Sequence, residues 1–264
     1  MAPSPDSLTL YRYQCTNKGY TEDLGNGVRL TLMLIPAGDF MMGAPENEPN
    51  SDDRERPQHR VHVPQFLMGR TPVTQAQWRV VAGYAREDID LGDDPSRFKG
   101  DDLPVEGVSW EEATEFCKRL SARTQINYRY HLPSEAQWEY ACRAETETVY
   151  HYGDKITTKL ANYSGEVGQT TNVASYPPNR CGLHDMHGNV WEWCQDNWHE
   201  TYEGAPSDGS AWITGGDDGY KIIRGGSWGY YPGNCRSASR SYNLPGNRFN
   251  YIGFRVCCSA PRAL

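Results

Sequence analysis

From Val28 onward the chain alternates apolar and polar side chains in the run VRLTLMLIPAGDFMMG, and the alternation breaks at Pro36-Ala37-Gly38. Successive side chains of a strand point to opposite faces, so this run predicts two short strands about a turn, most simply a hairpin. The next stretch, PENEPNSDDRERPQ, is charged and rich in Pro and Asn. It predicts an exposed loop with little surface to bury. The strand HRVHVPQFLMG follows, with His59 and Val61 on one face and His62 on the other, an arrangement that splits the histidines and argues against a metal.

Three later segments change to helical spacing. Thr74 is a natural N-cap for QAQWRVVAGY, whose Trp78, Val81 and Ala82 share a face. Ser109 stands three residues before Glu112, as in a capping box, ahead of the stripe Ala113, Phe116, Cys117 and Leu120. Ser134 opens a third helix, with Trp138, Ala141 and Cys142 turned inward. Residues 1–20 read as an N-terminal arm in which Leu8 and Leu10 allow a peripheral strand, and residues 21–264 as a single domain. No segment recurs at a solenoid or propeller period.

Composition adds that the fold is rich in loops: 26 Gly, 17 Pro, 17 Tyr and 8 Trp stand beside a mean hydropathy of -0.75. A mixed α+β class with much irregular structure follows. A net charge of -8 excludes a global electrostatic grip on nucleic acid or an anionic membrane. No apolar run reaches membrane-spanning length, and the opening MAPSPDSLTLYRYQC has neither a basic start nor a hydrophobic stretch, so the expected location is cytoplasmic. Eight cysteines without a CxxC pair predict reduced, mostly buried thiols rather than a disulfide scaffold.

The ordered motifs PAGDFMMG, PVTQAQW, PVEGVSWEEATEFCKRLS, YRYHLPSEAQWEYACRA, GLHDMHGNVWEWCQD, IIRGGSW and IGFRV together resemble the formylglycine-generating enzyme (sulfatase-modifying factor) family over roughly residues 25–260. The resemblance implies a variant of the C-type lectin fold. In that family two cysteines after GGS bind copper and activate oxygen to convert a substrate cysteine into formylglycine, two thiolates being suited to Cu(I). Here Cys235 is the only cysteine between Ser227 and Gly253. Counting forward from GGS puts Tyr230 at the first cysteine position and Cys235 at the second; counting back from SASR shortens the segment instead. Either way the pair is broken, and the expectation is a protein without catalysis and without a redox metal.

The frame RGGSW...P.NCRSA.R....P.NR...IGFRV also resembles the C-terminal variable region, here about 224–256, of diversity-generating retroelement target proteins. In those proteins adenines of a template are randomised, chiefly at Asn codons. The interspersed positions are Gly229, Tyr230, Tyr231, Gly233, Ser239, Ser241, Tyr242, Asn243, Leu244, Gly246, Phe249, Asn250 and Tyr251. Every residue there can arise from an Asn codon randomised at its first two bases, and none is Lys, Glu, Gln, Met or Trp. Clustered Tyr, Ser, Gly and Asn is also the composition of adaptable contact surfaces. The expectation is a ligand-binding protein that displays a diversified surface to a protein or other macromolecular partner, anchored by Tyr230, Tyr231, Tyr242, Phe249 and Tyr251. Between these positions Arg224, Arg236, Arg240, Arg248 and Arg255 offer forks of donors for loop carbonyls or acidic partners. Trp191, Trp193 and Trp228 are expected in the core.

The family resemblance also implies calcium, through Asn189, Val190 and Glu192 and, where a shortened loop weakens the match, through Asn162 and Tyr163; oxygen ligands suit that ion. The alternative reading is a metal-dependent oxidase of the formylglycine-generating type acting on a protein cysteine. His184 and His187 are the histidines that reading would draw on.

Overall fold

The computed structural model describes residues 14–123 and 129–259. Leu8 and Leu10 lie outside the described residues. Strand β1 (Gly19–Gly25) turns into β2 (Val28–Ile35) through Asn26-Gly27, both at positive φ, and the two pair antiparallel. After Pro36-Ala37 comes β3 (Gly38–Met42), then β4 (His59–Val63) and β5 (Phe66–Gly69). Helices α1 (Gln75–Ala82) and α2 (Trp110–Arg123), the short β6 (Tyr130–His131) and α3 (Glu135–Arg143) follow. The remainder holds β7 (Trp191–Trp198), β8 (Asp217–Arg224), β9 (Arg240–Asn243), β10 (Ile252–Gly253) and β11 (Cys257–Ser259).

The two strands expected around Pro36 form, but they are not a hairpin. β2 pairs with β1 and β5, while β3 crosses to pair with β4 in a separate two-stranded sheet. Leu30, Leu32 and Ile35 of β2 are buried, so that strand belongs to the core, and the turn at Pro36 redirects the chain rather than folding it back.

The main sheet runs β1-β2-β5-β11-β6, and a second runs β10-β7-β8-β9 with β7 and β10 parallel. Between the sheets and helices, Trp78 stacks on Phe116 at 5.7 Å, and Phe254 meets both rings edge-on. Trp191 and Trp193 are buried in the same cluster. Trp228 is only partly buried; Phe98 meets its ring edge-on and its indole N–H donates to Asn250 O.

The helix starts follow from their caps. Thr74 and Ser134 each accept from the backbone N–H three residues on, and Gln77 and Gln137 return the bond to complete capping boxes. Ser109 and Glu112 exchange the same pair of bonds ahead of α2. Each cap satisfies donors that a helix start leaves open, worth on the order of 1 kcal/mol.

Among the described residues no helix is long and apolar enough to cross a membrane. All the cysteines are free thiols, and those at 117, 142, 194, 235, 257 and 258 are buried.

Candidate functional site

Strand β8 ends on Arg224, and the Gly225-Gly226 pair that follows has φ of 98° and 73°. Glycine is required at 226, because a Cβ there would overlap Cys235 Sγ as well as adopt a backbone that L side chains rarely take. Cys235 is thereby sealed beneath the turn. Burial pushes its thiol up to about 12, and its Sγ lies 3.8 Å from Tyr231 O. Tyr230, the other position where the family's thiolates would fall, packs edge-on against Trp191 at 5.6 Å. One protonated, enclosed thiol and one phenol do not fit a two-thiolate copper centre.

The histidines are structural partners. His187 Nδ1 donates to Cys235 O at 2.7 Å, while its Nε2 accepts from the His151 backbone N–H at 3.1 Å. Burial pushes its imidazole down to about 4, so the ring is neutral at physiological pH. Cys142 Sγ lies 3.9 Å from both nitrogens of that ring. His184 sits between Tyr176 O and Arg70, and burial lowers it as well. Among the described residues no group of three or more His, Cys, Asp and Glu is arranged to hold a metal ion.

The implied calcium positions divide. Asn162 Oδ1 is buried without a hydrogen-bond partner, a feature that suits a cation at that first position. At the second, Asn189 sits at φ 65°, and its Oδ1 accepts from Thr171 N–H at 3.0 Å. Glu192 takes Arg255 in bidentate fashion at 2.6 and 2.7 Å, and Trp138 Nε1–H at 2.7 Å. These bonds occupy both Glu192 oxygens, so its carboxylate does not fit a calcium ligand here. Val190 and Tyr163 are buried beside these residues.

The arginines of the final segment act as the sequence suggests. Arg255, besides Glu192, donates to Gly69 O and His184 O. Arg240 grips Glu135 at 2.7 and 2.9 Å and donates to Arg54 O and His199 O. Arg224 binds Glu139 and the carbonyls of Ser237, Ala238 and Ser239. Burial alone would raise the Glu135 carboxyl; Arg240 and Arg224 overturn that and hold it below its usual range. Arg248 is the exception, an exposed residue paired with Glu112 at 3.0 Å.

Arg236 corrects one expectation. The acidic stretch before β4 is not merely an exposed loop: Glu48 and Glu55 are buried against Arg236, with contacts of 2.5 to 2.7 Å. A chemistry-blind count of apolar residues misses this, because the stretch is fastened by charge rather than by hydrophobic area. The same loop walls a concavity of about 570 Å³ that includes Asn50, Asp52, Arg54, Tyr231, Asn234 and Ser241.

The expected contact positions fall into groups, of which Tyr231, Gly233, Ser239 and Ser241 line that concavity. Tyr230, Phe249 and Tyr251 cluster, with Phe249 stacked on Tyr251 at 5.1 Å and Tyr230 tilted against Tyr251 at 5.4 Å. Tyr231 is 78% exposed, Leu244 46% and Phe249 37%, a high exposure for large apolar side chains. Gly229 and Gly246 are also exposed, and Gly233, Asn243 and Asn250 half-buried. Tyr242 belongs to a different group, packed on Trp198 at 4.3 Å and on Tyr220 at 5.0 Å. Ser239 lines the concavity but is almost wholly buried, since its carbonyl is tied to Arg224.

Residues 26–260 match the model of the sulfatase-modifying factor enzyme 1-like domain, and the chain belongs to that family. Its fold is the α+β, C-type lectin variant that the motifs implied. It is 31% identical to hercynine oxygenase of Mycolicibacterium smegmatis across 87% of this chain and 61% of that protein. Formylglycine-generating enzyme of Mus musculus is 29% identical across 88% of this chain and 75% of that one. Among solved structures, PvdO from Pseudomonas aeruginosa is similar at a TM-score of 0.80 and 33% identity, covering 93% of this chain and 100% of that one. Treponema denticola variable protein 1 reaches a TM-score of 0.75 at 24% identity, with 93% and 100% covered, a likeness of fold alone.

These relatives correct the expectation of a non-catalytic protein whose function is to display a diversified surface. Proteins named for oxygenase and formylglycine-generating activity match this chain in sequence along most of its length. The variable protein shares its architecture. The chain spans about 61% of the hercynine oxygenase it matches.

Proposed function

We propose that the chain is an oxidoreductase of the formylglycine-generating type that acts on a polypeptide substrate. The likeness to hercynine oxygenase and formylglycine-generating enzyme supports the reaction class. The observation that carries the substrate class is Tyr231, 78% exposed on the wall of a concavity of about 570 Å³. Aromatic side chains on a rim bury area at low entropic cost, which suits an extended peptide more than a small polar metabolite. Cys235 and Tyr230 do not supply the family's two thiolates, so the reaction does not run through that copper pair. Of the calcium positions, the one at Asn162 is retained.

The test is oxygen uptake by the full chain, with cysteine-containing peptides or hercynine plus a thiol as substrates, supplied in turn with Cu(I) and Fe(II). Mass spectrometry follows the peptides. Uptake coupled to peptide oxidation, lowered in Tyr231→Ser, supports the proposal. Absence of uptake under every combination overturns it, and turnover of hercynine alone replaces the polypeptide with a small substrate.

A second reading concerns the origin of the rim. We infer that positions 229–251 descend from a retroelement-type variable region, a reading supported by the absence of Lys, Glu, Gln, Met and Trp at the interspersed positions. Sequencing the locus tests it: a near-copy of the DNA for residues 224–256, rich in adenine at those codons and adjoining a reverse transcriptase gene, is expected. A locus without that copy removes the inference and leaves the enzymatic proposal standing.

A further inference from the structure

Three guanidinium groups, those of Arg54, Arg236 and Arg240, stand in the wall of the concavity that carries Tyr231. Two of them serve the fold. Every nitrogen of Arg236 is bonded, to Glu48, Glu55, Asn50 O or Gly233 O. Every nitrogen of Arg240 is likewise taken, by Glu135, Arg54 O or His199 O. Arg54 differs. It is exposed, and its side chain makes no hydrogen bond or ion pair among the described residues.

The open guanidinium has a fixed mount. Arg54 is the middle residue of a single 3-10 turn, Asp53–Glu55, capped by Asp52, whose Oδ1 accepts the Arg54 N–H at 2.9 Å. Its carbonyl accepts from Arg240 at 2.6 Å, and the next residue, Glu55, is held at both carboxylate oxygens by Arg236. The guanidinium stands 5.9 Å from the centroid of the Trp198 ring, a contact that leaves its N–H donors open. A fork of donors on an ordered backbone loses less entropy when it is filled than one on a mobile loop.

The rest of the wall complements a carboxylate. The side-chain amides of Asn50 and Asn234 and the hydroxyl of Ser241 also make no hydrogen bond among the described residues, so neutral donors flank the cation. Of the two acids in the wall, Glu55 is neutralised by Arg236, and Asp52 turns one oxygen to the start of the 3-10 turn. A planar carboxylate can take two parallel N–H bonds from a guanidinium. A doubly charged phosphate would meet more repulsion from Asp52.

We propose that Arg54 is a specificity-determining residue that binds a carboxylate of the substrate, carried by an acidic side chain or by the chain terminus. That the carrier is a polypeptide rests on the function proposed above. Tyr231 then packs on the chain of the peptide while Arg54 selects its charge.

The experiment measures binding, without turnover, by fluorescence anisotropy of cysteine-containing peptides that carry a neutral dye, titrated with the full chain. In one set, blocked at both ends, a single Glu is moved from position to position, each peptide beside its Gln twin. In the other, a peptide without acidic residues is compared with free and amidated C-termini. A carboxylate at one side-chain position, or at the free terminus, is expected to bind about fivefold tighter than its amide twin, and less so as salt is added. Arg54→Gln is expected to abolish that ratio and Arg54→Lys to keep part of it. Arg54→Glu is expected to turn the preference toward a peptide with Lys at the same position; a merely structural role would weaken all peptides alike. Equal binding of every twin pair by the wild type overturns the proposal and leaves the polypeptide reading standing. So does a ratio that survives in Arg54→Gln, or tighter binding of a phosphoserine peptide than of its Glu counterpart. Failure of every peptide to bind removes the polypeptide reading and this proposal with it.

Discussion

Two populations of side chain share the span from Arg224 to Val256, and each occupies the place ordinarily given to the other. Arg224, Arg236, Arg240 and Arg255 are buried, while Tyr231, Leu244 and Phe249 face solvent. Loops without a hydrogen-bond ladder leave carbonyls to satisfy, and a guanidinium with five donors can serve several at once. Its charge then demands a carboxylate, which Glu48, Glu55, Glu135, Glu139 and Glu192 provide from elements distant in sequence. A framework built in this way does not depend on what the outward positions carry. The outward side chains carry little of the fold because the arginines hold the shape.

The sharpest way to break this comparison is to open one inner pair. Glu192→Gln leaves Arg255 charged and uncompensated in the interior, an imbalance that typically costs about 3–5 kcal/mol. Urea denaturation of the single variant and of Glu192→Gln/Arg255→Met measures it, and the double variant is expected to recover most of the loss. A single-variant cost below about 1 kcal/mol would mean that these pairs behave like surface ones.

A smaller effect separates two buried groups by the sign of their pH dependence. Asp196 is pushed up to about 7 by burial and then by Glu135. The folded protein keeps that proton where the unfolded chain has lost it, so the aspartate's contribution to stability falls as pH rises from about 4 to 7. Asp196→Asn removes the decline, and the stability of the variant relative to wild type is expected to climb by up to about 1.4 kcal/mol per pH unit in that window. His187, pushed down to about 4, behaves oppositely: its contribution is complete above the unfolded value near 6.5 and is lost as pH falls toward 4. His187→Gln relative to wild type therefore gives the reverse slope between those limits. Parallel slopes in the two variants would refute the assignment.

The smallest effects are expected outside. Leu244→Ser and Phe249→Ser should change stability by no more than about 0.5 kcal/mol, as surface substitutions usually do. Arg248→Ala, at the exposed arginine of the set, should cost under about 1 kcal/mol. Thermal melts of the three variants check this. A loss of several kcal/mol at Phe249 would show its stack on Tyr251 to be part of the framework.

Local signals in the sequence were reliable wherever they rest on chemistry a few residues long. The caps at Thr74, Ser109 and Ser134 and the apolar stripes of the helices are all present. The pairing of β2 was not legible, because alternation marks a strand but not its partners, and one of them, β5, arrives only after β3 and β4. The burial of Glu48 and Glu55 was hidden for a related reason: their partner Arg236 lies more than 180 positions away. Among the expected contact positions Tyr231, Leu244 and Phe249 face solvent, but the sequence did not foresee that Ser239 would turn inward or that Tyr242 would join Trp198.

The place of β11 bears on how the chain is made. Its three residues, 257–259, sit between β5 and β6 in the main sheet, so strands that leave the ribosome early wait for one that leaves late. Until then the edge of β5 is open and the apolar face of the sheet unfinished. A nascent chain between those two points exposes sticky strand edges, which raises its demand for chaperones during translation.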